Sequence, residues 1–136
     1  MEITPSIRQK FIVEHKLEIG KFLFYDNVMI SEFYEGIHVT QENASEVILL
    51  TKKIYGNYKP FVYISYRKNS YSMDTMGYAE VSSMFPNLKG LVVVSQNKYR
   101  RMLASFEKIF IKTRIEVFDN MDSAFFWAEK LLEKNS

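Results

Sequence analysis

The sequence has no cysteine, and only five glycines, three prolines and two histidines among its 136 residues. Without cysteine there are no disulfides, no thiol nucleophile and no zinc–thiolate site. The glycines and prolines fall singly, so no linker or low-complexity tract divides the chain, and no internal repeat is visible. A single domain over residues 1–136 is expected, with its core at about 10–134. His15 and His38 have no carboxylate at ligand spacing and form no His-x-x-x-His pair, so no metal site is expected. Long apolar runs are also missing. A stretch such as Ala124–Ala128 is far from the roughly 20 residues that cross a bilayer. The opening Met1-Glu2-Ile3-Thr4-Pro5 has neither the basic nor the apolar part of a secretory signal, so a cytoplasmic location is expected. There is no Gly-x-Gly-x-x-Gly, no Walker loop and no Gly-x-Ser-x-Gly elbow. The carboxylate pairs Glu14/Glu18 and Glu42/Glu46 have ordinary surface explanations. Neither an enzyme nor a bound cofactor is expected.

What is present is a well-filled core. Apolar residues make up 47% and aromatics 15%, with 11 Phe and 9 Tyr, against 25% charged residues and a net charge of +2. That balance belongs to a globular α/β domain rather than a disordered chain. Phe11, Val13, His15, Leu17 and Ile19 alternate with Lys10, Ile12, Glu14, Lys16 and Glu18, the period of a strand. Phe22–Tyr25 and Val28–Tyr34 continue an antiparallel meander around the Asp26-Asn27 turn. The period then changes. Thr40 can cap a helix whose apolar face is Ala44, Val47, Leu50 and Ile54, and Gly56 stands where the helix should end. Phe61–Tyr66 reads as a strand covered on both faces. Asp74–Met84 reads as a helix ending before Pro86, and Gly90–Ser95 as a buried strand. Asn97 or Ser95 can cap a helix with an apolar face of Tyr99, Met102/Leu103, Phe106 and Ile109/Phe110. A short strand at Ile115–Phe118 and a helix capped by Asp119-Asn120 complete the chain. Alternating strands and helices predict parallel pairing through right-handed crossovers, so the sheet should be mixed, with four helices.

Three features could carry function. Arg67-Lys68-Asn69-Ser70-Tyr71-Ser72 follows a central strand, at the end of the sheet where open α/β folds bind ligands. Arg67 and Lys68 there could meet an anionic group or a partner carboxylate. A basic run then holds Lys89, Lys98, Arg100, Arg101, Lys108, Lys112 and Arg114 against one acid, Glu107. On a helix, Lys98, Arg101, Lys108 and Lys112 share a face, suited to an acidic protein or anionic lipid. No nucleic-acid motif accompanies this charge, so nucleic acid is not an expected partner. Finally, Phe125, Phe126 and Trp127 cannot all face one core. At least one lies at the flank, where a second copy of the chain could meet it.

The element order, together with Tyr71-Ser72-Met73-Asp74-Thr75-Met76-Gly77, resembles the STAS (anti-sigma-factor antagonist) fold and its wider SpoIIAA-like group. Signalling members carry Asp-Ser-Ser-Gly at the start of the helix after the central strand, and a partner kinase phosphorylates the first Ser. Asp74 and Gly77 match, Thr75 occupies the phospho-acceptor position and Met76 replaces the second Ser. Phe118–Trp127, with an acidic turn followed by an Ala-aromatic helix, is similar to the same group. The resemblance implies a mixed sheet and a non-enzymatic regulatory or protein-interaction domain. Its surface would lie at 67–77, with Thr75, Asp74, Gly77 and Ser72 as phospho-acceptor or partner contacts. A hydroxyl at a helix start suits phosphate, because the unpaired N–H groups there favour negative charge. The wider fold also resembles the CRAL-TRIO lipid-transfer group, which implies a small-molecule or lipid-binding module as the alternative. Met73, Met76, Met84 and Met102 are suited to line an adaptable apolar cavity.

Overall fold

Strands β1 (Phe11–Lys16), β2 (Gly20–Tyr25) and β3 (Val28–Phe33) form the antiparallel meander at one side of the sheet. The computed structural model describes residues 9–74, 80–105 and 113–134. Beyond β3 come the two-residue strand β4 (His38–Val39), helix α1 (Ser45–Tyr55), β5 (Phe61–Tyr66) and a second two-residue strand, β6 (Ser72–Met73). A helical segment at 80–83 (α2) precedes β7 (Leu88–Val94). Helix α3 (Lys98–Ser105), β8 (Arg114–Phe118) and helix α4 (Met121–Lys134) follow. The main sheet runs β1-β2-β3-β5-β7-β8, with its last four strands parallel. Among the described residues this is the mixed α/β sheet with four helices that the sequence predicts. β4 and β6 pair in parallel as a separate ladder.

Strand alternation sorts the core into two layers. Leu23, Tyr25, Val28, Ile30, Val62, Ile64, Val92 and Val94 meet Ala124, Phe125, Ala128 and Leu131 of α4. The opposite face, with Phe22, Phe24, Met29, Phe33 and Phe61, meets Val47 and Tyr55 of α1 and Phe85 beyond α2. Helix α4 approaches the sheet closely at Gly90. A Cβ there would lie 2.6 Å from Leu131 Cδ2 and 2.8 Å from the Trp127 ring. The Tyr55 hydroxyl ties α1 to the β2–β3 turn, donating to the Tyr25 carbonyl at 2.6 Å and lying 2.9 Å from that of Val28. Of the three consecutive aromatics, Phe125 is buried and Phe126 is exposed, as the spacing requires.

Several local expectations are revised. The first strand stops at Lys16, because Leu17 N–H closes a turn onto the Gly20 carbonyl at 2.9 Å. Gly20 does not break a strand but begins β2, where a Cβ would fall 2.6 Å from the Glu32 carbonyl oxygen. Thr40 does not cap α1. It exchanges hydrogen bonds with Asn43, N–H to Oδ1 at 2.8 Å and Oγ1 from N–H at 3.1 Å, in a turn before the helix. The largest correction concerns α3. Tyr99, Met102 and Leu103 were expected to face the core, but Ala104 is the residue the helix buries. A small side chain there lets the helix lie close to β7 and β8. Phe106, Ile109 and Phe110, predicted for the same face, lie outside the described residues. The caps of α3 and α4 match the sequence. Arg100 N–H donates to Asn97 Oδ1 at 3.0 Å, and Ser123 N–H to Asn120 Oδ1 at 2.8 Å.

Candidate functional site

The segment 67–74 leaves the C-terminal end of β5, and its backbone is held at Arg67, Ser70, Ser72 and Asp74. Arg67 N–H donates to the Val94 carbonyl at 2.8 Å. Asn69 Nδ2 donates to the Phe33 carbonyl at 2.9 Å, and Ser70 N–H to Glu35 Oε2 at 2.9 Å. Ser72 N–H donates to the Ile37 carbonyl and Asp74 N–H to that of Val39, both at 2.9 Å. A loop fixed this way presents its side chains with less backbone ordering entropy to lose on binding. Lys68, Ser70, Ser72 and Asp74 are exposed, and Arg67 and Asn69 are half-buried.

Beneath the loop lies a set of hydroxyls. Ser31 Oγ and the Tyr63 hydroxyl are 2.5 Å apart, Ser65 Oγ and the Tyr71 hydroxyl 3.2 Å, and Arg67 Nε donates to Ser65 Oγ at 3.2 Å. Burial pushes the Tyr63 phenol well above its ordinary value. The neighbouring Tyr71 hydroxyl adds to the rise, and Ser31, Arg67 and Ser65 oppose it. Tyr63 is thus a neutral structural hydroxyl rather than a poised acid or base. On the other face, the buried Glu32 carboxylate has Lys21 Nζ at 3.8 Å from Oε2 and Lys68 Nζ at 3.9 Å from Oε1. A buried carboxylate needs such compensation, so Lys68 serves the fold as well as the surface.

The predicted site residues are only partly brought together. Arg67, Lys68, Ser72 and Asp74 share the segment just described. Lys98 and Arg101 lie on α3, where Arg101 Nη1 turns inward to the Ser95 carbonyl at 2.7 Å and Lys98 is exposed. Thr75, Gly77, Lys108 and Lys112 lie outside the described residues. One pairing was missed: His38 Nδ1 lies 2.7 Å from Ser72 Oγ. The two residues are 34 apart in sequence and meet only through the β4–β6 register, which no periodicity in a two-residue strand announces. Among the described residues, no group of three His, Asp or Glu could hold a metal ion.

Beside this segment is a cavity of about 120 Å³. The sheet contributes Phe22, Met29 and Phe33 and helix α1 contributes Val47, while Met73 and Asp74 lie where the segment ends. Its lining is almost wholly apolar, and Thr51, the buried hydroxyl of α1, bonds back to the Val47 carbonyl at 2.7 Å. An apolar cavity lined by Met and aromatic side chains belongs to the alternative reading of the sequence; of the methionines named for it, Met73 is in the lining and Met76 lies outside the described residues.

No family model matches the sequence, and no curated protein matches it. The structure is similar to the crystal structure of an uncharacterized protein from the DUF3478 family, with a SpoIIAA-like fold, from Shewanella loihica. The TM-score is 0.55 at 10% identity, over 92% of this chain and 98% of that one. The fold is therefore SpoIIAA-like, as the element order and the Asp74–Gly77 stretch led the sequence reading to expect.

Proposed function

We propose that this is a non-enzymatic regulatory domain that recognises a protein partner through the segment 67–74. The observation that supports this most is the set of hydrogen bonds that holds the segment to the sheet. Exposed Lys68, Ser70, Ser72 and Asp74 sit on a segment whose backbone is bonded to β4, β7 and Glu35 and whose Asn69 side chain is bonded to β3. Pre-organised polar side chains on a fixed loop are what a recognition surface needs. Thr75 and Gly77 extend that surface in the sequence, with Thr75 as the phospho-acceptor that the STAS-like motif implies. The test is affinity capture from the native host, comparing wild type with Lys68→Ala and Ser70→Arg. Retention of one stoichiometric protein by wild type, and its loss with Ser70→Arg, is expected. Capture profiles identical for all three proteins would overturn the reading. Phosphothreonine at Thr75, sought by mass spectrometry, would make the contact switchable.

The cavity favours a second reading, a binder of small apolar molecules. An engineered apolar cavity of roughly 150 Å³ admits benzene, whereas sites for drug-sized ligands span roughly 300–1,000 Å³. At about 120 Å³ the space suits one ring, and a lipid chain would exceed it. Thermal melts with benzene or indole test this. A rise in melting temperature that Ala44→Leu abolishes is expected, and the same melt with and without ligand would refute it.

A further inference from the structure

Helix α3 turns its apolar side to solvent. Tyr99, Met102 and Leu103 are 63%, 53% and 47% exposed, while Ala104 is buried. With 3.6 residues per turn, Met102, Tyr99 and Leu103 occupy about 100° of the helix circumference. Lys98 borders that stripe on one side and Arg100 on the other, and Arg101 lies toward the sheet with its guanidinium on the Ser95 carbonyl. No acidic residue occurs between Leu88 and Phe106. A helix packed on a core shows the reverse arrangement, with its apolar stripe inward and its charges outward.

The shape and charge of this ridge narrow what it meets. Peptide helices are usually received in grooves. A helix that buries a single alanine is convex, and a convex apolar ridge between cations matches a bilayer interface, where apolar side chains enter below the headgroups and cations reach the phosphates. Tyr is favoured at that depth. We propose that α3 seats the domain on an anionic phospholipid surface, with Tyr99, Met102 and Leu103 inserted at headgroup level and Lys98 and Arg100 against lipid phosphates. No helix among the described residues is long and apolar enough to cross a membrane, so the attachment is peripheral and reversible. It is independent of recognition by residues 67–74, which belong to other elements.

Co-sedimentation with sucrose-loaded vesicles tests it, using phosphatidylcholine alone and phosphatidylcholine mixed with phosphatidylserine. Wild type should sediment with the mixed vesicles, release as salt rises and ignore the neutral ones. Lys98→Gln/Arg100→Gln should weaken partitioning roughly 25-fold, each cation contributing roughly fivefold. Tyr99→Ser/Met102→Ser should also weaken it while keeping the salt dependence. Both variants should melt as wild type does, because Lys98, Tyr99 and Met102 are exposed and the half-buried Arg100 lies on the solvent side of the helix, beside that stripe. Four results would overturn the proposal: no sedimentation of wild type with the mixed vesicles, equal binding to both vesicle types, variants that bind as wild type does, or variants that unfold. A dimer in sedimentation equilibrium that Tyr99→Ser/Met102→Ser dissociates, with no vesicle binding by wild type, would instead make α3 an interface between copies of the chain.

Discussion

Asn69 donates its side-chain amide to the Phe33 carbonyl at 2.9 Å, across 36 positions of sequence. That bond clips the segment after β5 to the end of β3 and holds the proposed recognition surface in register with the sheet. Asn69→Ala should cost about 1 kcal/mol in urea denaturation, the usual worth of one such bond. Amide exchange at Ser70 and Ser72 should quicken with it. Unchanged exchange there would show that the backbone bonds alone hold the segment.

Tyr55 joins α1 to the carbonyls of Tyr25 and Val28 through one buried hydroxyl. Tyr55→Phe leaves those carbonyls short of a donor and should cost about 1–3 kcal/mol. Burial raises the Tyr55 pKa above the ordinary 10.0, as it does for Tyr63 and Tyr25. A raised folded pKa means that the native state holds its proton more tightly than the unfolded chain. The stability from these tyrosines is therefore intact below pH 10 and falls as pH rises through the folded values. Denaturation midpoints should drop above pH 10, and less steeply for Tyr55→Phe. A flat profile into alkali would contradict this.

At Gly90 helix α4 lies close against the sheet, with Leu131 and the Trp127 ring where a Cβ would be. Gly90→Ala would overpack this contact and should cost about 1–3 kcal/mol, with a change in Trp127 fluorescence as the ring shifts. A variant as stable as wild type, with unchanged fluorescence, would mean that both side chains yield freely.

Val93 lies fully buried in β7, between β5 and β8. Val93→Asp would bury an unpaired carboxylate and should cost several kcal/mol. A melting temperature near wild type would sink the placement of β7 as an internal strand.

The main sheet was legible because its signals are long. Leu91–Val94 has no polar residue, and the Ala124, Phe125, Ala128 and Leu131 spacing fixes the inner face of α4. What was not legible depends on contacts between distant residues. β4 and β6 are two residues each and exist through their pairing. The bond from His38 to Ser72 follows from that pairing. The outward face of α3 was misread because an apolar stripe normally marks the core side, and here the small Ala104 and the inward-turned Arg101 take the sheet side instead. The cavity beside Met73 needs the facing of sheet, α1 and β6 together, which no single segment encodes.

Among the described residues, helix α4 covers the face formed by Val28, Ile30, Val62, Ile64, Val92 and Val94, and it is the last of the described elements to leave the ribosome. The partners of the opposite face, α1 and Phe85, emerge much earlier. At about 5–20 residues per second, the strands that α4 will cover stand open for on the order of ten seconds during translation. A nascent chain in that state offers an apolar sheet to any holdase chaperone nearby, and slowing elongation across β7 and β8 should lengthen its association with one.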